Sequence, residues 1–260
     1  MKFLSVMAMS VLAVSLSAET IKYDLKQEFA KNSQVAFNGD IMTFKGPGAL
    51  VFKPIKLDPA AKYTLTVTLK KNGTEKAFAY HCGFYCYDKT GRMITCDNIS
   101  SSKQSFTSLA KDVKAGDKTV TVKDGSKWRK GGLVAFNAKQ DYSDLPNRET
   151  AGSITKIEKQ GDVWVITLDK PVRKAYAAGT NVRNHFYGGY VYSTAGGKLT
   201  DDWKTVSGTI SGVNPPETGG YYKKFWTATV TIRPMILLNW NWGDRNGSTQ
   251  IKDVTLTISK

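Results

Sequence analysis

Hydrophobic and polar positions alternate with a period of two through most of this chain. No long stretch shows the 3.6-residue period of an amphipathic helix. The alternation predicts strands at 35–44, 49–56, 63–70, 78–87, 120–123, 133–137, 153–159, 163–168, 182–192, 204–210, 226–238 and 251–258. Turn-forming clusters separate them, such as Lys45-Gly46-Pro47-Gly48, Lys71-Asn72-Gly73, Gln160-Gly161-Asp162, Ala195-Gly196-Gly197 and Asn214-Pro215-Pro216. Many short strands spaced this way predict an all-β protein, a sandwich or a barrel.

The start of the chain follows a different pattern. Lys2 gives a positive charge, residues 3–16 form an apolar run broken only by Ser, and Ser15-Leu16-Ser17-Ala18 closes it with small residues. That is the arrangement of a secretory signal peptide, so residues 1–18 are expected to be removed near Ala18, leaving a mature chain from Glu19. The expected location is secreted, periplasmic or on the cell surface. No later stretch has the roughly 18 consecutive apolar residues of a membrane-spanning helix.

Within the mature chain the segments 19–106 and 187–260 share long strands and most of the tryptophans. Residues 107–186 are made of shorter strands and glycine turns, and read as a small β domain inserted into a hairpin of its host. Lys and Arg number 37 against 22 Asp and Glu, a formal charge of +15 spread without dense blocks. Such a field draws polyanions, and in an exported protein an acidic glycan is the expected partner rather than nucleic acid. The basic residues near Tyr221–Trp226 carry no nucleic-acid motif.

Of the three cysteines, Cys82 and Cys86 are too far apart along one strand to bond. Cys86 and Cys96 flank the turn Asp88-Lys89-Thr90-Gly91-Arg92 symmetrically, which makes them the expected pair if a disulfide forms. His81 beside Cys82 and Cys86 does not have zinc-site spacing.

The middle segment, through "AGDKTVTV", "KWRKGGLVAF", "ITKIEKQGDVWVITLDKPV" and "AYAAGTNV", resembles small β modules of secreted and phage tail proteins. That resemblance implies a structural or spacer unit. The flanking stretches "KYTLTVTLKKNG", "WKTVSGTISG" and "ATVTIRPMILLNWNWGDRNGSTQIKDVTLTI" resemble carbohydrate-binding modules of the galactose-binding-like jelly-roll type. It implies a β-sandwich of jelly-roll topology, non-catalytic polysaccharide binding, and a structural calcium near the chain ends. The acidic residue before a valine in the last strand, here Asp253-Val254, is its candidate metal ligand.

Sugar recognition needs flat aromatic faces for the ring and polar groups for its hydroxyls. The loop with Asn239, Trp240, Asn241, Trp242, Asp244 and Arg245 offers both, and Tyr221 and Trp203 are further candidates for stacking. Trp164 and Trp226 lie within alternating strands and are expected in the core. No Gly-x-Ser-x-Gly elbow, phosphate loop or dinucleotide fingerprint is present. Two alternatives to a binding protein remain. In a polysaccharide lyase, Arg183, His185 and Tyr187 would share one strand face with Asn184 nearby. In a structural or adhesive surface protein, both β units would serve contacts only.

Overall fold

The computed structural model describes residues 18–73, 78–194, 196–216, 224–239 and 247–260. Its elements in chain order begin with β1 (Glu19–Lys22), α1 (Leu25–Phe29), β2 (Val35–Asn38), β3 (Ile41–Lys45), β4 (Gly48–Val51), β5 (Ile55–Lys56), β6 (Lys62–Asn72) and β7 (Phe78–Tyr87). Next come β8 (Met93–Ile94), α2 (Cys96–Ile99), β9 (Thr107–Ser108), β10 (Thr119–Val122), β11 (Gly132–Phe136), β12 (Thr150–Gln160), β13 (Val163–Leu168) and β14 (Asn181–Phe186). The chain continues through β15 (Val191–Tyr192), β16 (Gly197–Leu199), β17 (Lys204–Ser211), β18 (Thr231–Leu238) and β19 (Ser248–Ser259).

The chain is an all-β protein of three antiparallel sheets. One has the order β17-β6-β19-β3-β2 with β1 on β19, and a second the order β15-β7-β18-β4 with β5, β8 and β16 at its margins. Successive strands β3, β4, β6, β7, β16, β17, β18 and β19 alternate between these two sheets except at β7 and β16, which pair with each other in the second. That alternation, with the neighbour orders β3-β19-β6-β17 and β4-β18-β7-β16, is jelly-roll winding. Inward positions of both sheets fill one core around Phe44, Phe52, Tyr63, Phe84 and Phe225. Trp226 belongs to that core.

The third sheet draws all its strands from residues 107–186, in the order β10-β13-β12-β11-β14-β9. Its ends meet: Leu109 bridges Val122, Ala110 N–H donates to Thr121 O (2.8 Å) and Lys123 N–H to Ser108 O (3.0 Å). The sheet is thereby closed into a six-stranded barrel with its own core of Val120, Val122, Val134, Phe136, Ile166 and neighbours. Trp164 packs against that core. The chain leaves the sandwich for the barrel after β8 and α2 and returns just before β15, and both β8 and β15 pair with β7.

Several predicted strands are divided. The segment 35–44 is a hairpin, β2 and β3, turning at Gly39-Asp40, where Gly39 takes φ +59°. Residues 49–56 break at Pro54, which has no N–H to give the ladder. The segment 182–192 splits into β14 and β15, which belong to different sheets.

The expected Cys86–Cys96 bond is absent, and all three cysteines are free and buried. The hairpin pairs Cys86 with Ile94 and Tyr87 with Met93, so its register sets Cys96 two residues past the partner position, on α2. Burial pushes the thiols of Cys82 and Cys86 up to about 12, which leaves them protonated and inert.

Candidate functional site

The outer face of the β7–β18 sheet carries a row of rings. In β7 the even positions Tyr80, Cys82, Phe84 and Cys86 enter the core, so His81, Gly83, Tyr85 and Tyr87 face outward. Tyr192 of β15 lies opposite Gly83, and Tyr190 stands two residues before it. The rings form a chain: His81 to Tyr192 at 4.9 Å, Tyr192 to Tyr190 at 6.5 Å and edge-on, and Tyr190 to Tyr85 at 4.5 Å. All are half-buried, and the row from His81 to Tyr87 extends for about 20 Å at the strand rise. Gly83 permits the close pairing, since a Cβ there would collide with the carbonyl oxygen of Val191.

Deeper in the same face, Met235 opposite Gly83 and Leu237 opposite His81 are fully buried. Arg233, opposite Tyr85, donates through Nε to Phe52 O at 2.7 Å, which fixes its guanidinium beside the row. Burial lowers the His81 pKa, and the Tyr85 phenol is raised by burial first and by the neighbouring Tyr190 second. Near neutral pH His81 and Tyr85 are therefore uncharged, and the row offers ring faces with hydroxyl and imidazole hydrogen-bonding groups.

Of the residues chosen from sequence, Trp240, Asn241, Trp242, Asp244, Arg245 and Tyr221 lie outside the described residues. Asn239 is buried, 2% exposed, with φ +52°, and its N–H donates to Ala79 O at 2.8 Å, so it terminates β18 rather than facing solvent. Trp203 is half-buried on the other sheet, with the ammonium groups of Lys252 at 4.5 Å and Lys70 at 5.1 Å over its ring. Cations thus already engage the π-surface a sugar would use. Asp253 sits in the bulge of β19 with φ +48°, exposed, with Lys22 Nζ at 3.9 Å. Among the described residues no three His, Cys, Asp or Glu side chains converge to hold a metal.

The face expected of a lyase is occupied in a different way. Arg183 and His185 are 1% and 0% exposed. Arg183 Nη2 pairs with Asp144 at 2.7 Å, Nη1 donates to Lys139 O at 3.0 Å, and the guanidinium lies 4.7 Å from the Tyr142 ring. Arg183 Nε donates to His185 Nε2 (3.1 Å), which assigns the imidazole proton to Nδ1, directed at Asp97 O (2.9 Å). Burial first, then Arg183, pushes the His185 pKa down to about 4. Side chains this enclosed cannot touch a polymer; they join the barrel to α2.

Compared with known proteins, the chain matches no family model, no curated protein and no solved structure. The tyrosine row was missed from the sequence, although alternation in His81–Tyr87 does set it against the apolar even positions. What the sequence could not supply was the pairing of Tyr190 and Tyr192 with β7 across the whole barrel.

Proposed function

We propose that this chain is an exported, non-catalytic carbohydrate-binding protein that takes a polysaccharide, with its charge of +15 favouring an acidic one. The observation that carries the reading is the row of Tyr85, Tyr190, Tyr192 and His81 on an outer face of a jelly roll. Half-buried rings with hydroxyl tips suit the apolar faces and hydroxyl rims of sugars, and Arg233 stands ready for a carboxylate or sulfate. Export agrees with the signal-like residues 1–18 and with the entry of the chain into the sheet at Glu19.

Affinity electrophoresis of the chain from Glu19 onward, through gels holding neutral, uronate or sulfated polysaccharides, tests the reading. Retardation is expected in at least one gel and is lost in Tyr190→Ala with Tyr192→Ala. Free migration in every gel overturns it. If only Trp240→Ala with Trp242→Ala abolishes retardation, the site is the 240–246 loop and the tyrosine row is structural.

A further inference from the structure

A pocket of about 430 Å³ opens where the linker leaving the sandwich meets a loop of the barrel. The linker contributes Ser101, Ser102 and Lys103; the barrel loop contributes Ser126, Lys127 and Arg129. Three cationic residues and three serines line this space, and no carboxylate does. Asp124, in the same barrel loop, is occupied there, accepting Ser126 N–H at 2.8 Å. Trp128 and Phe186 complete the walls, and the Arg129 guanidinium lies 5.7 Å from the Phe186 ring centre.

The two sides are joined by a single buried amide. Asn184, 0% exposed, accepts at Oδ1 from Arg129 N–H and from Ser102 Oγ, both at 3.0 Å. Its Nδ2 donates to Leu133 O (3.2 Å) and His185 O (3.3 Å), so both halves of the amide are engaged. Trp128 is held from the other side by Nε1–H donating to Ser105 O at 2.9 Å. The backbone of the pocket is therefore set before any ligand arrives, while Lys103, Lys127 and Arg129 stay exposed.

From this geometry we infer that the pocket binds an oxyanion-bearing substituent, a sulfate or carboxylate, of an acidic polysaccharide. A planar guanidinium and two ammonium groups recognise such oxygens by charge-assisted hydrogen bonds, and the absence of a carboxylate wall removes the repulsion that would expel them. The identity of the ligand as polysaccharide rests on the carbohydrate reading of the tyrosine row; anion binding itself does not. The chain links the two places. Phe186 lines the pocket and Tyr190 stands in the row four residues on, at most about 14 Å away by backbone reach. One polymer lying on the row can thus set a charged group in the pocket.

The test is calorimetric titration of the full mature chain with a heparin-derived oligosaccharide and with an oligogalacturonate, dextran oligosaccharide serving as the neutral probe. Lys127→Gln combined with Arg129→Gln is expected to weaken the charged probes about 10-fold or more, and to leave dextran affinity unchanged. Lys62→Gln with Lys204→Gln, which removes the same charge from the sandwich, is expected to change either affinity by less than about twofold. Loss of charged-probe affinity within about twofold in the pocket variant, or an equal loss in the sandwich variant, overturns the site. Competition by a single-stranded oligonucleotide as strong as by the heparin oligosaccharide overturns the polysaccharide assignment. The Tyr190→Ala, Tyr192→Ala variant separates the two readings: losing dextran but keeping the Lys127/Arg129-dependent increment supports both. No dextran binding by the parent chain defeats the row alone.

Discussion

The barrel of residues 107–186 closes six strands around mostly small branched side chains, whereas the sandwich stacks two open sheets over large rings such as Phe44, Phe84 and Phe225. Closure removes every strand edge from the barrel. Its polar investment is at the junction, in Arg183, Asp144, His185 and Asn184. The sandwich keeps two sheet faces and uses them differently. One carries the tyrosine row. The other carries cross-strand hydroxyl pairs, Thr64–Thr209 (2.8 Å), Thr66–Ser207 and Thr68–Thr205 (both 2.9 Å), which tie β6 to β17 and present no ring to a ligand. The proposed recognition chemistry is thus confined to one sandwich face and to the seam beside the barrel, while the barrel interior contributes packing.

Substitutions that strike one unit at a time sharpen this contrast. Phe84→Ala empties a fully buried site between Tyr63 and Phe225 and is expected to cost about 3–5 kcal/mol in denaturant unfolding. Amide exchange at Val134 and Ile166 in the barrel should stay slow in that variant; equal loss of protection would mean the units unfold as one. Asp144→Asn strands the buried Arg183 charge and should cost about 3 kcal/mol, read from barrel amides.

The seam also has a pH signature. His185 has its pKa lowered to about 4 in the folded chain against 6.5 ordinarily, so the unfolded chain binds the extra proton first. Its contribution is fully present above pH 6.5 and is lost as pH falls towards 4, about 3 kcal/mol in all. NMR titration of the imidazole checks the assignment, and titration of His185 near 6.5 would remove it. The smallest effect is expected at the part-buried ion pair on the other side of the seam. Arg148 reaches Asp88 at 2.7 Å and Met93 O at 2.9 Å, linking the barrel to the β7–β8 hairpin. Arg148→Met should cost about 1 kcal/mol, and a double-mutant cycle with Asp88→Asn measures how much of that is the ion pair.

The all-β class and many strand positions were legible from period two because most sandwich strands have one buried and one more exposed face, β18 with both faces buried being the exception. Register was less legible. Gly39-Asp40 is a hairpin turn inside what alternation alone reads as one strand, and the partner of Cys86 depended on where the 88–92 turn closed. Trp203 looked like a sugar platform because sequence cannot show Lys70 and Lys252 brought over it from β6 and β19. Arg183 and His185 share a strand face, as their spacing requires, but which side of β14 is covered is decided by α2 and the 139–147 loop, far away in the chain.

The position of β19 bears on the order of assembly. This strand, residues 248–259, lies between β6 and β3 and also holds β1, so three earlier strands have no common neighbour until it is in place. The barrel draws all six of its strands from 107–186, with residues 100–102 adding hydrogen bonds only along β14, so its strands can pair while the sandwich is still waiting. A chain threaded across a membrane unfolded would then pass through a stage with one finished module and two unpaired sheets. That is the interval in which a chaperone or a protease would find it, and the wait lengthens with every residue spliced between β7 and β15.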